Sequence, residues 1–278
     1  MVAPDRAAIV AFYRETDWMF RVLALLRRSP SMHAGLGPGG LRAQRALNRA
    51  LAERAGVGAG TRVVDAGCGI GSSALWLAAE RGAQVLGLTI VPQQAAQAQA
   101  LAQRAGLAGN LAFCCADYHR QPLPAGQADV VWMVESLCHA ADHAQVLAEA
   151  RRLLAPGGRL VIADRLRRRR PETPADERLL QRWLTDWAMP DLLTAGEVCA
   201  QLSAAGFQQV QQEDVTTEAW PALRFLGVLA AVSLPATALL HRAGLQSTRQ
   251  LDAVRANLDQ YLALRRNLWG YYLTTAHC

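Results

Sequence analysis

The chain has 278 residues, with 51% hydrophobic and 19% charged residues and a formal net charge of +6. That is enough apolar material for a full core, and it excludes wholesale disorder. All 29 basic residues are arginine, but no basic stripe is interleaved with aromatics, so nucleic acid is not an expected partner. The six cysteines (Cys68, Cys114, Cys115, Cys138, Cys199 and Cys278) show no Cys-x-x-Cys spacing. Neither a metal site nor a redox pair is expected, and the thiols read as reduced, in a cytoplasmic protein. The N-terminus, with Asp5 and Arg6, has no charged-then-apolar leader pattern.

In chain order, residues 1–55 read as a helical cap. A helix over 6–26 is followed by a Gly- and Pro-punctuated loop at 29–40. A second helix over 41–55 sets Leu47, Leu51 and Ala55 on one face. The texture then changes. Strands are expected at 61–66, 84–89, 111–116, 128–134 and 159–163, separated by helices at 72–81, 92–105 and 142–154. Pro92 sits in the first turn of the second of these helices, as helix starts prefer. Strand and helix alternating at this spacing give a parallel sheet with right-handed crossovers.

Residues 165–174 read as a charged linker, with the arginine run 167–170 as a solvated loop. Helices follow at 177–187 and 194–205, a sixth strand at 207–214, a mostly helical apolar stretch at 220–261, and a seventh strand at 271–276. The most apolar part, 225–240, is interrupted by Gly227, Ser233 and Pro235, so no membrane-spanning helix is expected.

The first strand runs into Asp65-Ala-Gly67-Cys-Gly69-Ile-Gly71 and then a helix. Glycines there permit a tight turn and close approach of a ligand, and the helix start supplies free N–H groups. In an open parallel sheet this is where a nucleotide-like ligand binds. A nicotinamide dinucleotide is disfavoured: Ser72 takes the third glycine slot counted from Gly67, and the second strand ends in Thr89-Ile90-Val91 without an acid. A phosphate-binding P-loop is excluded by the missing Gly-Lys-Ser/Thr.

DAGCGIG resembles the first motif of class I S-adenosylmethionine-dependent methyltransferases. CCADYHRQPLP resembles that family's adenine-site segment, and EARRLLAPGGRLVIAD its helix, turn and fifth strand. The likeness covers about residues 55–165, and YYLTTA fits the seventh strand. It implies an α/β fold: a doubly wound, Rossmann-like seven-stranded sheet whose last strand is antiparallel, with S-adenosyl-L-methionine as cofactor. The core is expected over 56–166 and its remainder over 167–278, with a helical substrate lid at about 221–266 between strands six and seven. The lid's length and polarity allow a weak membrane contact.

Within the family, GLTIVPQQ resembles the Gly-Ile-Thr-Leu-Ser-x-x-Gln pattern of tocopherol, sterol, geranyl diphosphate and cyclopropane-type methyltransferases. Val91 departs from it, so only Thr89 and Gln94 carry over. SMHAG, residues 31–35, resembles the His-x-Gly loop of these enzymes.

By this resemblance Gly67, Gly69 and Gly71, with Cys68, pass under the methionine and ribose of the cofactor, and Asp65 orients the loop or the methionine amine. Thr89 and Gln94, with Ile90, meet the ribose edge. Ala116, Asp117 and Tyr118 flank the adenine. The substrate-facing candidates are Glu135 and His139, four apart after strand four, where a short helix would set them on one face and the carboxylate would tune the base towards neutral pH. Tyr13, Trp18, His33, Trp183 and Trp187 are the expected walls of the acceptor pocket. The expected reaction is methyl transfer to a small, partly apolar acceptor of specialised metabolism, preferably to carbon of an isoprenoid or aromatic molecule. The alternative is N- or O-methylation.

Overall fold

The computed structural model describes residues 6–31 and 33–278. Met32 of the 31–35 segment, and residues 1–5 of the stretch read for a leader, lie outside the described residues. Two helices open the chain, α1 (Arg6–Arg27) and α2 (Gly40–Ala55). The alternating core follows: β1 (Arg62–Ala66), α3 (Ser72–Arg81), β2 (Gln84–Thr89), α4 (Pro92–Arg104), β3 (Leu111–Cys115), β4 (Ala128–Val134), α5 (His143–Leu153) and β5 (Leu154–Arg167). After it come α6 (Pro174–Asp186), α7 (Ala195–Ala204), β6 (Gln208–Asp214), α8 (Thr216–Arg242), α9 (Thr248–Arg265) and β7 (Trp269–His277).

Local chemistry fixes the helix ends. Asp142 and Thr173 cap α5 and α6 by accepting from Gln145 and Asp176 N–H groups. Thr194/Glu197 and Ser247/Gln250 form reciprocal capping boxes at α7 and α9.

The strands form one seven-stranded sheet in the order β3-β2-β1-β4-β5-β7-β6. β7 is antiparallel to both neighbours, β5 and β6, while the pairings from β3 through β5 are parallel. Alternating strand residues feed two cores: Val63, Val85, Val130 and Val161 pack on one face, and Val64, Leu88, Val131 and Ile162 on the other. Strand order reverses between β1 and β4, which opens a crevice at their carboxyl ends.

Two expectations are corrected here. β5 does not stop at Ala163; it pairs with β7 through Arg167↔Trp269. The supposed charged linker therefore begins inside the sheet, with Arg165 and Arg167 each only 3% exposed. Of the arginine run, Arg167 is buried in the strand, whereas Arg168 and Arg170 are exposed in the bend beyond it. Arg167 pairs with Asp191, Arg168 with Asp214, Arg169 with Glu172 and Arg170 with Glu197.

The stretch after β6 is a hairpin of two helices. Gly227 lets them meet, since a Cβ there would lie 2.3 Å from the Tyr261 ring. Gly227, Ser233 and Pro235 do not break α8, which runs on as one helix to Arg242. By length and composition it is long and apolar enough to cross a membrane, with a mean hydropathy of 1.8 in its most apolar window. α1 lies against the hairpin. Ile9, Phe12 and Met19 share a buried cluster with Ala230 of α8 and Ala253 and Val254 of α9.

Candidate active site

The crevice holds a cleft lined from the ends of β1, β2 and β4 and from α1. Its floor is the turn after β1. At Gly67 φ is +95°, and a Cβ would lie 2.4 Å from Ser136 Cβ, so only glycine lets this turn pass so close to the end of β4. Asp65, at the end of β1, is 2% exposed, and its Oδ2 has no hydrogen-bond partner. Burial pushes its carboxyl up to about 7. An orphaned buried carboxylate facing a cleft fits a cationic ammonium group, which a bound methionine moiety carries.

Where β2 ends, Thr89 Oγ1 donates to Gln94 Oε1 at 2.9 Å and accepts from Val91 N–H at 3.2 Å. This neutral pair occupies the place of the missing acid, and both residues line the cleft with Ile90. Cys68, Gly69 and Tyr118 line it too. Tyr118 is held by donating its hydroxyl to Ser136 O at 2.8 Å. Three expected cofactor residues are not in the lining. Gly71 starts α3 beneath Phe113. Ala116 packs against the core. Asp117 turns to His119 Nδ1 at 2.7 Å, and that hydrogen bond holds its carboxyl low.

Glu135 lies in left-handed backbone at φ +51° just after β4, an uncommon conformation for a non-glycine residue. Its carboxylate accepts from Ala34 N–H at 2.7 Å, Arg165 Nη2 at 2.7 Å and the Tyr271 hydroxyl at 3.0 Å. Burial alone would raise its pKa, but Arg165, His33 and the Ala34 N–H outweigh that and hold it below the usual value. The carboxylate is thus ionised and fully paired. Arg165, its main partner, lies 5.3 Å over the Trp187 ring and lines the cleft. The arrangement ties the cap, the end of β4, β5 and β7 together at one atom group.

His139 closes a single 3-10 turn, Leu137–His139, and is 7% exposed. It does not face Glu135. Its Nδ1 lies 3.3 Å from Ala188 O and its Nε2 3.1 Å from the Tyr13 hydroxyl. A carbonyl only accepts, so Nδ1 carries the proton and Nε2 offers a lone pair that Tyr13 covers. The expected tuning towards neutral pH is overturned: burial outweighs the Ala188 contact and drives the imidazole down to about 4, so it is neutral at pH 7.

The walls are apolar. Tyr13, Phe20, Ile9 and Phe12 come from α1, and Trp187 follows α6. Of the expected wall residues, Tyr13, His33 and Trp187 line the cleft. Trp183 instead lies tilted against Trp269 in the core, ring centres 5.1 Å apart, and is fully buried. Trp18 sits on the outer side of α1, 36% exposed. Trp187 is the C-cap of α6, its N–H still donating to Trp183 O at 3.1 Å, and its half-buried ring lies between the core and the α1 cluster.

Sequence reasoning missed Arg165, Tyr271 and Ser73, the last lying 3.3 Å from His33 Nε2. The alternation continuing past Ala163 was the available signal for Arg165. Among the described residues no group of three His, Cys, Asp or Glu side chains is placed to hold a metal ion.

The family described as "Methyltransferase domain" matches residues 64–162. A probable tocopherol O-methyltransferase of Oryza sativa is 33% identical over 209 residues, which is 72% of this chain and 56% of that protein. An O-methyltransferase of Aspergillus sclerotiorum is 30% identical over 180 residues, covering 65% of this chain and 67% of that one. The chain thus spans little more than half of the rice protein. Among solved structures, the [4+2]-cyclase SpnF superposes with a TM-score of 0.79 at 26% identity, covering 100% of this chain and 97% of that one. Geranyl diphosphate methyltransferase, solved in complex with GPP and sinefungin, gives a TM-score of 0.78 at 21% identity, with 98% of each chain covered. A glycine turn beneath an orphaned acid, in a sheet of this order and with relatives of this kind, shows that the chain belongs to the class I S-adenosylmethionine-dependent methyltransferases.

Proposed function

We propose that this enzyme methylates a small, apolar, hydroxyl-bearing acceptor, a phenol or quinol with an isoprenoid or comparable apolar substituent. Asp65, the turn at Gly67–Gly69, the Thr89–Gln94 pair and Tyr118 hold the cofactor. When bound, the cofactor supplies an electrophilic methyl group. The remaining work is to orient the acceptor, exclude water and take up one proton.

The observation that carries this reading is the state of His139. Its Nδ1–H is anchored on a carbonyl, its Nε2 meets the Tyr13 hydroxyl, and both side chains line the cleft beside the aromatic groups of α1. An acceptor hydroxyl replacing the Tyr13 hydroxyl at Nε2 would pass its proton there as the methyl is transferred, when the methylated acceptor becomes strongly acidic. The phenol is a nucleophile at oxygen and at the ring carbon beside it. Aromatic side chains from α1, with Trp187, fit a flat ring, and α1 keeps bulk water out.

A carbocation route is less well served. It needs an anionic group beside the cation, and the Glu135 carboxylate is already neutralised by Arg165. The rice relative's name, for a tocopherol methyltransferase, agrees with an aromatic acceptor. The likeness to SpnF, a [4+2]-cyclase, supports a second reading, in which the site serves a reaction other than methyl transfer.

Incubation with methyl-labelled S-adenosylmethionine and a panel of prenylated hydroquinones, followed by NMR of the products, tests the proposal. Label on an oxygen or ring carbon of a hydroxylated aromatic supports it. Label confined to acceptors without a hydroxyl refutes it. Tight cofactor binding without label on any acceptor favours the second reading.

A further inference from the structure

α8 shows the opposite of ordinary surface chemistry. Its inner side, Leu223, Gly227 and Ala230, is buried. Its outer side is apolar as well: Phe225, Val228, Val232, Leu239 and Leu240 are 44%, 46%, 73%, 69% and 39% exposed. Residues 225–241 contain no Asp, Glu or Arg, and Arg224 and Arg242 bracket the stretch, both exposed. At 1.5 Å per residue the two arginines stand about 27 Å apart along the helix. Scattered exposed apolar residues need no explanation, but a continuous stripe of this length does.

We propose that this face docks on an anionic lipid bilayer, with α8 lying in the plane of the surface. Aliphatic residues along the stripe enter the headgroup and acyl boundary while the arginines at its ends meet lipid phosphates. α1, which packs in the same buried cluster as α8 and α9, has a second exposed side of this character. Trp18, Val22, Leu25 and Leu26 are 36%, 44%, 78% and 56% exposed, beside exposed Arg14 and Arg21, the latter paired with Asp17. Tryptophan and arginine among aliphatics is the composition that a membrane interface favours. The cleft leaves Trp18 unused, and contact with a membrane would give it a role.

A second copy of the chain is the competing occupant, and the charges oppose it. A two-fold antiparallel pairing centred near Ser233 sets Arg224 of one copy against Arg242 of the other. A two-fold parallel pairing sets each arginine against itself. Both juxtapose like charges, which disfavours self-association. An anionic surface complements them.

The test is flotation of the full chain with vesicles of phosphatidylcholine alone and of phosphatidylcholine with phosphatidylglycerol, alongside light scattering of the free protein. The wild type is expected to float with the anionic vesicles and to be released by salt. V232E/L239E should weaken binding about tenfold or more, because two apolar side chains lose their burial. R224Q/R242Q should weaken it about thirtyfold on anionic vesicles and reduce the salt dependence. S-adenosylmethionine affinity should stay unchanged in both variants, which reports intact folding and keeps this result separate from the acceptor assignment. Absence of flotation overturns the proposal, as does equal binding to both vesicle types or binding unchanged in V232E/L239E. A dimer that V232E/L239E dissolves assigns the face to self-association instead.

Discussion

Replacing Asp65 with Asn should make the cofactor-free enzyme more resistant to heat at high pH while removing most of its cofactor affinity. Burial raises this carboxyl from an ordinary 3.8 to about 7. For an acid shifted upward, the associated stability is fully present below about pH 4 and is lost as the pH rises through about 7. Across that whole interval the loss amounts to about 4 kcal/mol, at ~1.4 kcal/mol per pH unit. Between pH 5 and pH 8 the wild type should therefore lose about 3 kcal/mol relative to the variant, because the slope ends near pH 7. For a chain of this size that corresponds to roughly 6–12 °C in relative Tm. Comparing the two proteins across pH cancels whatever the Asn amide itself costs. Thermal melts at both pH values read the difference. Titration calorimetry should show wild-type affinity for S-adenosylmethionine rising with pH up to about 7, then levelling, with D65N weak and insensitive to pH. A Tm gap that does not change with pH, or a variant that binds cofactor normally, would refute the argument.

Glu135→Gln leaves the buried Arg165 cation without its carboxylate, and should cost about 3–5 kcal/mol of stability; a thermal melt that matches wild type would remove Glu135 from its proposed anchoring place. His139→Gln should lower kcat by about 10²–10⁴-fold with cofactor affinity preserved, as calorimetry would show. At saturating cofactor, wild-type kcat/KM for the acceptor should stay flat down to about pH 5 and fall only towards the imidazole's pKa of about 4, since the unprotonated form is the active one. An acid limb centred at or above 6.5 contradicts His139 as the base. Trp183→Ala should destabilise by about 3–5 kcal/mol through the core, whereas Trp187→Ala should chiefly raise KM for the acceptor.

The doubly wound core is legible in the sequence because each of its signals is local. Apolar runs, glycine turns and a proline at a helix start all lie within a few residues of one another, so residue order alone places DAGCGIG at the end of β1. The site is less legible where it depends on distant partners. Arg165 reads as the start of a charged linker because a buried arginine is recognisable only through its carboxylate, and Glu135 follows another strand. The same distance hides Tyr271. Trp183 and Trp187 share a spacing but not a fate, since Trp183 meets Trp269 and Trp187 meets Arg165, partners distant along the chain. His139 stands out in the sequence, yet its chemistry does not. Its partners are Tyr13 and the Ala188 carbonyl, and neither is a neighbour along the chain.

The position of β7 bears on the order of folding. Among the described elements it comes last in sequence, yet it lies inside the sheet between β5 and β6. Until it slots in, Glu135 lacks the Tyr271 hydroxyl and Arg165 lacks the backbone of its pairing partner. Pairings between segments so far apart along the chain form slowly, because loop closure precedes any gain from contact. The cofactor turn belongs to the rapidly formed, local half of the molecule, and the charge balance of the acceptor cleft belongs to the late half. Refolding should therefore recover cofactor binding before it recovers turnover.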